Sequence, residues 1–214
     1  MKIVDIKTLA ISSIKVIRFA RFLDARGYFT EPYRKSDMNK HPQMPFLKNI
    51  EFVQSNESFS KKGTIRGLHF QWNPYMGKLV RTLRGHMVDM VLDIRKRSPD
   101  FGKIFFYEMP HDPAADASEW IWVPPGFAHG NFFLEDTVIE YFCSGEYSQG
   151  CEAGISPLAT DLNWSLCDAE LKKKFDGIVE NGPIITEKDR GGHSLAAWQK
   201  DIRSDNFIYD SLKG

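Results

Sequence analysis

Apolar and polar residues alternate in several short runs along the middle of the chain. In residues 86–95, HMVDMVLDIR, every second position is apolar, which is the period of a β-strand with one buried face. The runs EWIWV (119–123) and VIEYFCS (138–144) predict further strands, and turn sequences such as NPYMG (73–77) separate the runs. Many short strands at close spacing are typical of a sandwich or barrel, so we predict an all-β fold.

The pattern changes near residue 165. Asp168 can cap a short helix through ELKKKF (170–175), and SLAAWQKDI (194–202) predicts a second helix. Helices at one end of a β-domain usually cover a sheet edge or a barrel mouth and do not define another domain. We therefore predict a single domain over residues 1–214, with short helices in a tail that starts at about residue 165.

The charges of the chain balance, with 28 lysine and arginine residues against 28 aspartate and glutamate residues. Since no overall field attracts nucleic acid or an anionic membrane, we expect neither partner, and an anionic ligand would need locally placed cations. Charged residues interrupt residues 1–17, MKIVDIKTLAISSIKVI, and no later run is long enough to span a bilayer. The three cysteines follow no metal-ligand spacing, so we expect a cytoplasmic protein with inert thiols.

The stretch TIRGLHFQWNPYMGKLV carries more polar side chains than a strand needs for packing. Alternate residues of a strand share a face, so His69 and Gln71 point the same way. Arg66 has the opposite parity, but a bulge at Gly67 would turn it toward the same cavity. Lys78 could return to that cavity from the next strand. A solvated face with one chance histidine is the alternative, but the concentration of polar residues favours a functional cavity.

Two other candidate residues have structural explanations of their own. His129 follows the rigid turn of WVPPGFAHG (122–130), where a hydrogen-bonded structural role and a functional role are equally compatible with the sequence. Tyr141 shares its strand face with apolar neighbours, as a core tyrosine would; as a catalytic acid it would have to face a histidine across a cavity. The polar segment ITEKDRGG (185–192), taken by itself, predicts a surface turn.

Metal binding is the main alternative chemistry for a β-fold with two histidine-bearing segments. A metal-binding cupin needs His-x-His and a carboxylate, because several ligand atoms must converge on the ion. This chain offers His69 and Gln71 instead, and a glutamine is a poor ligand for a transition metal. The cations Arg66 and Lys78 would also repel a metal ion. We therefore expect no metal site.

Several longer segments together form a highly specific set. They are DARGYFTEPY (24–33), FVQSNES (52–58), GTIRGLHFQ (63–71), GKLVR (77–81), VLDIRKRSPDFGK (91–103), WVPPGFAHG (122–130) and ITEKD (185–189), with Tyr141, Tyr147 and Glu152. In this order they resemble the dTDP-4-dehydrorhamnose 3,5-epimerase family over about residues 20–196. The resemblance implies a double-stranded β-helix (cupin-type jelly roll), a homodimer, and a reaction that needs neither a metal nor an organic cofactor.

The resemblance also implies a reaction and the residues that perform it. Family members invert a carbon next to the ketone of a nucleotide-linked 4-keto-6-deoxyhexose. This needs a base, an acid on the opposite face of the sugar, and positive charge at the ketone oxygen. His69 corresponds to the base and Asp189 to the carboxylate that pairs with it. Tyr141 corresponds to the acid, and Lys78 to the group near the ketone oxygen.

A second set of residues corresponds to the substrate-contacting positions of the family, namely Arg26, Tyr28, Glu31, Gln54, Asn56, Arg66, His129, Tyr147, Glu152 and Lys188. Arginine suits a pyrophosphate because its planar donors match the phosphate oxygens. Tyr147 corresponds to the residue that stacks on the nucleotide base. Arg26 and Glu31 lie in a segment that in family dimers can approach the partner's site, and Tyr28 and Phe29 would form a wall of the site.

Several functions stay open at this stage. The enzyme could invert C3, C5 or both, on a sugar carried by thymidine diphosphate or another nucleotide. Residues 154–164 form a shorter run, and residues 165–183 a longer connection, than in compact family members, which bears on substrate choice. A related sugar-nucleotide ketoisomerase would use similar enolate chemistry. A non-catalytic nucleotide-sugar-binding module would need neither a base nor an acid.

Overall fold

The protein is built mainly from β-strands, and the computed structural model describes residues 1–212. The strands are β1 (Ile3–Thr8), β2 (Lys15–Ala20), β3 (Phe22–Asp24), β4 (Gly27–Phe29), β5 (Gln54–Ser60), β6 (Ile65–Gln71), β7 (Lys78–Arg84), β8 (His86–Asp93), β9 (Ile104–Pro110), β10 (Ala117–Val123), β11 (Phe127–Phe133), β12 (Thr137–Cys143) and β13 (Glu152–Gly154). A six-stranded sheet has the order β1-β2-β10-β7-β12-β5, and a five-stranded sheet has the order β13-β6-β11-β8-β9. Strands β3 and β4 form a separate hairpin.

From β5 onward the chain passes back and forth between the two sheets. Strands β5, β7, β10 and β12 belong to the six-stranded sheet, while β6, β8, β9, β11 and β13 belong to the five-stranded sheet. The strand pairs within each sheet are antiparallel. This path is that of a double-stranded β-helix, so the expected all-β, cupin-type fold is confirmed.

Three apolar layers hold the sheets together. Between the sheets, Val80, Val91, Ile121 and Phe127 are all 4% exposed or less. The outer face of the five-stranded sheet packs against the C-terminal helices, and the outer face of the six-stranded sheet packs against residues 33–52. Burial of apolar area in all three layers is the main term that stabilises the fold.

The alternation in residues 86–95 predicts one buried face for β8, and the structure corrects this because both faces are buried. Val88 and Met90 pack against the C-terminal helices, whereas Met87 and Val91 pack between the sheets. Asp89 lies between Met87 and Val91 on the face that points between the sheets, and it is fully buried. A buried carboxylate needs hydrogen-bond donors, so Asp89 points to a polar site inside the fold.

Short helices follow the last strand, as expected, and one α-helix and one 3-10 helix lie between β4 and β5. They are α1 (Lys35–Met38), α2 (Ala169–Glu180), α3 (Glu187–Arg190) and α4 (Leu195–Lys200), with 3-10 helices at Pro45–Leu47, Ile202–Asn206 and Tyr209–Leu212. The Asp168 side chain accepts from the backbone N–H groups of Glu170 and Leu171, which confirms the predicted cap of α2. Ser194 caps α4 in the same way. Among the described residues, none of the helices has the length and apolar character needed to cross a membrane.

Candidate active site

A cavity between the two sheets collects most of the residues that the sequence singles out. It has two adjoining lobes, an inner lobe of about 200 Å³ and an outer lobe of about 450 Å³. The inner lobe is lined by residues that include Arg66, His69, Lys78, His129, Asn131, Tyr141 and Asp189. The outer lobe is lined by residues that include Gln54, Asn56, His69, Lys78, Tyr141, Tyr147, Glu152 and Lys188. His69, Lys78 and Tyr141 border both lobes, so the lobes meet at these three side chains.

The bulge expected at Gly67 is present and turns two functional side chains into the cavity. His69 lies opposite His129 and Arg66 lies opposite Asn131, so two residues of β6, Gly67 and Leu68, oppose the single residue Gly130 of β11. Gly67 has φ +108°, and a Cβ atom there would lie only 2.5 Å from the Cα atom of Gly130. Only glycine combines this conformation with this close approach. Arg66 and His69 therefore share the cavity although their sequence parity differs.

His69 forms a hydrogen bond with Asp189, with 2.7 Å between Nε2 and Oδ1. Asp189 is only 6% exposed, and its Oδ2 also accepts from the backbone N–H of Gly67 at 3.2 Å. Because an ionised carboxylate only accepts, Nε2 carries the proton and Nδ1 is left with a lone pair. Burial alone raises the pKa of Asp189, but its hydrogen bonds with the His69 ring and the Gly67 N–H oppose burial, and the net pKa is below the usual value.

Asp189 lies buried in a short helix, not in the surface turn that its segment predicts. Residues 185–192 taken by themselves predict a surface turn, but Glu187–Arg190 form α3, which Thr186 caps by accepting from the Asp189 N–H. This helix contacts β6, so the Asp189 carboxylate is directed at the cavity. The pairing of Asp189 with His69 agrees with the role that the family resemblance implies.

Tyr141 and Lys78 line the cavity from the other sheet. Tyr141 lies on β12 opposite Val80 of β7, and the Lys78 Nζ atom is 5.9 Å from the centroid of the Tyr141 ring. Burial raises the pKa of the Tyr141 phenol, so the phenol keeps its proton at neutral pH. Burial lowers the pKa of the Lys78 ammonium, because the charged form loses hydration. A proton donor and a cation thus face the His69 ring from the opposite wall.

His129 is part of a second buried histidine–carboxylate pair. Its Nε2 atom lies 2.9 Å from each carboxylate oxygen of Asp89. The Asn131 amide donates to the same carboxylate at 3.2 Å. His129 and Asn131 are each 6% exposed and both line the inner lobe. His129 is therefore hydrogen-bonded, as its structural explanation requires, and it also faces the cavity, where its functional role stays a prediction.

Arg66 and Lys78 give the cavity its positive charge. The Arg66 guanidinium donates to Ser60 Oγ at 2.8 Å and to the Phe59 carbonyl at 3.1 Å. Within residues 1–212, neither Arg66 nor Lys78 has a carboxylate at ion-pair distance. Two cations without a close counterion favour an anionic ligand or a developing negative charge in this cavity.

The outer lobe contains a hydrogen-bonded group of five predicted ligand contacts. Glu152 accepts from the Tyr147 hydroxyl and from Lys188, each at 2.9 Å. Gln54 accepts from the Tyr147 N–H at 2.8 Å and donates to Asn56 at 3.0 Å. Burial alone raises the pKa of Glu152, but the hydrogen bonds from Lys188 and Tyr147 make the net pKa lower than usual. The Tyr147 ring is 56% exposed, which leaves its face open for stacking.

Gln71 shares a strand face with His69, as predicted, but its hydrogen bonds are structural. Its amide donates to the carbonyls of Pro74 and Glu146, and its carbonyl accepts from the Ser148 N–H, all at 2.9 Å. Gln71 thus ties together the two loops that border the outer lobe.

Three expected ligand contacts do not reach the cavity of their own chain. Arg26 is exposed at the β3–β4 turn and pairs with Asp24. Tyr28 lies under the guanidinium of Arg21, and Glu31 pairs with the N-terminal amine of Met1 at 2.7 Å. The expectation that Arg26, Tyr28 and Glu31 contact the ligand is therefore not met within one chain, because none of the three lines either lobe.

Asp89 and Asn131 are site residues that the sequence analysis missed. Asn131 interrupts the apolar run FAHGNFF of β11, and Asp89 interrupts the apolar run of β8. A polar residue within an otherwise buried strand is a usable signal of a polar site, since its burial must be compensated. In the described part of the chain, no group of three or more histidine, cysteine, aspartate or glutamate side chains is arranged to hold a metal ion.

The double-stranded β-helix and its cavity place the chain in the class of cupin-type carbohydrate epimerases. A family model described as dTDP-4-dehydrorhamnose 3,5-epimerase matches residues 8–197, which is most of the chain. The chain therefore belongs to the dTDP-4-dehydrorhamnose 3,5-epimerase family, and it is an isomerase.

Individual relatives agree with this membership. A dTDP-4-dehydrorhamnose 3,5-epimerase from Sinorhizobium fredii is 40% identical over 163 residues, which cover 74% of this chain and 79% of the relative. One from Shigella flexneri is 35% identical over 191 residues, which cover 87% of this chain and 90% of the relative. A Legionella pneumophila dTDP-6-deoxy-D-glucose-3,5-epimerase, crystallised with dTDP-4-keto-L-rhamnose, has a TM-score of 0.76 and 28% identity, with coverage of 95% and 97%.

Proposed function

We propose that this protein epimerises a nucleotide-diphospho-4-keto-6-deoxyhexose, such as dTDP-4-dehydro-6-deoxyglucose, at C3, at C5 or at both carbons. One observation carries the proposal: His69 and Tyr141 belong to different sheets but line the same lobe, with Lys78 beside Tyr141. Family membership and the Legionella relative crystallised with dTDP-4-keto-L-rhamnose support this substrate class.

His69 acts as the base. Its Nδ1 atom takes the proton from the carbon next to the ketone, and Asp189 stabilises the imidazolium that forms. The electron pair of the broken C–H bond forms a carbon–carbon double bond, and the ketone oxygen becomes an enolate oxygen. The Lys78 ammonium stabilises this oxygen because it is already in place where negative charge develops.

Tyr141 acts as the acid from the opposite wall. Its phenol gives a proton to the other face of the same carbon, and the electron pair returns to the carbonyl, so the configuration is inverted. The raised pKa of Tyr141 keeps the phenol protonated for this step at neutral pH. The steps move protons without net oxidation or reduction, so we propose that the reaction needs neither a metal nor an organic cofactor.

The remaining contacts divide between the two lobes. The outer lobe would hold the nucleoside, with the base stacked on Tyr147 and its polar edge near Glu152 and Lys188. Gln54 and Asn56 would add hydrogen bonds from β5. Arg66 and His129 would contact the sugar or its phosphates from the inner lobe.

We also infer that residues 1–214 act as one domain and that the enzyme works as a homodimer in the cytoplasm. The β3–β4 hairpin exposes Phe22, Leu23 and Phe29, which are 50%, 56% and 67% exposed. Such a patch fits a protein interface, and in a dimer Arg26, Tyr28 and Glu31 could reach the partner's cavity. Three unpaired cysteines fit a reducing compartment. Sedimentation analysis would test the dimer, and cell fractionation the location.

Solvent exchange tests the chemistry directly. In deuterium oxide, the wild type should introduce deuterium at C3 or C5 of dTDP-4-dehydro-6-deoxyglucose, as followed by NMR. His69→Ala should abolish exchange while substrate still binds, and Tyr141→Phe should impair inversion more than exchange. His41→Ala and Tyr107→Phe, which lie outside the cavity, are the matched controls. The proposal would be rejected by a wild type that binds substrate without exchange at either carbon.

The same experiment separates the alternatives. Deuterium at one carbon only would identify a 3- or 5-monoepimerase. A carbonyl moved to a neighbouring carbon would identify a ketoisomerase. Tight binding without proton exchange would identify a nucleotide-sugar-binding module. Comparison of dTDP-, GDP- and CDP-linked ketosugars would establish the nucleotide.

A further inference from the structure

Asn131 places a single neutral amide deep inside the cavity. It lies on β11 between apolar neighbours, and its side chain is 6% exposed. It lines the inner lobe together with Arg66 and Tyr141. An amide at such a position must satisfy both its donors and its acceptor, since burial of an unpaired polar atom is unfavourable.

The orientation of the Asn131 amide is fixed by its neighbours. Its Nδ2 atom lies 3.2 Å from Asp89 Oδ2 and 3.1 Å from Met87 Sδ. A carboxylate and a thioether sulfur only accept hydrogen bonds, so the NH₂ group must be on this side. Asp89 is itself held by His129, which pairs with both of its oxygens. Both amide hydrogens are therefore used within the protein.

The carbonyl end of the same amide has no such partner. Among the residues that the structure describes, no donor makes a hydrogen bond to Asn131 Oδ1, whereas Nδ2 has two acceptors. Because Nδ2 already binds Asp89 and Met87, Oδ1 is the polar atom of Asn131 that remains available to a ligand in the inner lobe. The lobe thus offers a hydrogen-bond acceptor that is rigidly held and unused.

The chemistry of the ligand limits what this acceptor can bind. A ketone oxygen and a phosphate oxygen are acceptors, and a carbonyl oxygen close to either would be repelled. A 4-keto-6-deoxyhexose joined to phosphate at C1 keeps hydroxyl groups only at C2 and C3. The one favourable partner on such a sugar is therefore one of these two hydroxyl groups.

We propose that Asn131 is a specificity-determining residue whose Oδ1 accepts a hydrogen bond from the C2 or C3 hydroxyl of the sugar. The inference rests on the proposed function, because it takes a nucleotide-linked 6-deoxyhexose as the ligand. Asp89 is then a positioning residue, since it fixes which end of the amide faces the sugar. A sugar without that hydroxyl would leave Oδ1 buried and unpaired, and the site would reject it.

Binding measurements with three inert ligands test the proposal without turnover. The ligands are dTDP-6-deoxy-D-glucose and its 2-deoxy and 3-deoxy analogues, which lack the ketone and so cannot be epimerised. For the wild type, calorimetry should give one deoxy analogue a Kd roughly two- to twelvefold higher than that of the parent ligand, as the loss of one neutral hydrogen bond predicts. In Asn131→Leu the same comparison should give a ratio near one. The loss of the bond to Asp89 affects all three ligands equally and cancels in the ratio.

Other results would overturn the proposal. Equal affinity of the wild type for all three ligands would do so without any variant. An unchanged ratio in Asn131→Leu, with all three ligands weakened alike, would show that Asn131 has only a structural role. Asn131→Ala replaces the leucine variant if that variant does not fold, and Asn181→Leu, at the exposed end of α2, is the control. Solvent exchange reports separately on the proposed function, so loss of catalysis cannot be mistaken for loss of this contact.

Discussion

His69 and Asp189 are separated by 120 residues in the sequence, yet a 2.7 Å hydrogen bond joins them at the edge of one cavity. The bond fixes the imidazole tautomer and leaves Nδ1 free to take a proton. It also places a negative charge beside the ring, which would stabilise the imidazolium of the proposed mechanism. In that mechanism Asp189 acts through His69 and does not itself need to touch the substrate.

Asp189→Asn should leave the shape of the site intact and lower kcat. An asparagine amide can donate as well as accept, so it no longer enforces the tautomer or stabilises the imidazolium. We expect a loss of about 10²–10⁴-fold in kcat with little change in the Kd for dTDP. Steady-state kinetics and calorimetry check this, with Asp176→Asn on the exposed side of α2 as the control. A full kcat in Asp189→Asn would show that the pair is only structural.

Lys78 should set the alkaline limit of activity. Burial lowers the pKa of Lys78 below the ordinary lysine value of about 10.4, whereas burial raises the pKa of Tyr141 above its ordinary value of about 10. The two shifts are in opposite directions, and we expect the ammonium to lose its proton before the phenol does as the pH rises. We expect the rate to fall on the alkaline side while Tyr141 is still protonated.

Lys78→Arg separates these two groups, because a guanidinium stays charged throughout the same range. The variant should be slower at neutral pH, since its geometry differs, but its alkaline limb should move to higher pH. Initial rates from pH 6 to the limit of protein stability measure the shift. If the rate falls at the same alkaline pH in the wild type and in Lys78→Arg, a group other than Lys78 causes the fall.

Gly67 should be intolerant of a side chain for two separable reasons. Its φ of +108° is unfavourable for other residues, and a Cβ atom would lie 2.5 Å from Gly130 Cα and 2.8 Å from the His129 carbonyl oxygen. We expect Gly67→Ala to lower the free energy of unfolding by about 1–3 kcal/mol from backbone strain alone, and by more from the clash. Activity should also fall, because the bulge orients both Arg66 and His69.

Gly63→Ala is the matched control for this variant. Gly63 also has positive φ, +78°, but a Cβ atom there would meet nothing within 4 Å. The free energy of unfolding lost in Gly63→Ala therefore measures the strain of a positive φ alone, without a steric clash. Urea denaturation of both variants gives the difference. If Gly67→Ala and Gly63→Ala lose the same free energy of unfolding, β6 and β11 can move apart at Gly67 without an energetic penalty.

The fold was largely predictable because its signals are local. The period of residues 86–95, the turn sequences and the cap at Asp168 each depend on neighbours in the chain, and the structure confirms the elements they predict. The bulge at Gly67 was predictable for the same reason, since His69 and Arg66 differ in parity and a glycine lies between them. Periodicity did not predict that both faces of β8 are buried, because Asp89 and Asp93 make the face that the six-stranded sheet covers look solvent-exposed in the sequence.

The site was less predictable because its contacts are distant in sequence. The segment around Asp189 is polar and short, and only its contact with β6 makes the carboxylate part of the cavity. Asp89 and Asn131 carried a usable signal, as polar residues in apolar strands, but the pairing of Asp89 with His129 and Asn131 depends on the register of β8 and β11. Arg26 and Glu31 matched the family motif, yet the contacts of one chain leave them outside the cavity.

Mixed dimers test whether Arg26 acts in the partner's site. We expect Arg26→Ala and His69→Ala each to be weakly active or inactive alone. If Arg26 serves the other subunit, a mixed dimer has one site in which both residues are intact. Random pairing at equal expression makes half of the dimers mixed, so roughly a quarter of the sites should be restored. Co-expression with two affinity tags isolates these dimers for assay.

A second pair of variants controls for simple stabilisation by co-expression. His69→Ala and Asp189→Asn affect the same cavity of the same chain, so their mixed dimer contains no intact site and should stay at the level of the single variants. Restoration in the first pair but not in the second would place Arg26 across the dimer interface. No restoration in either pair would limit Arg26 to its own chain, where it pairs with Asp24 on the exposed hairpin.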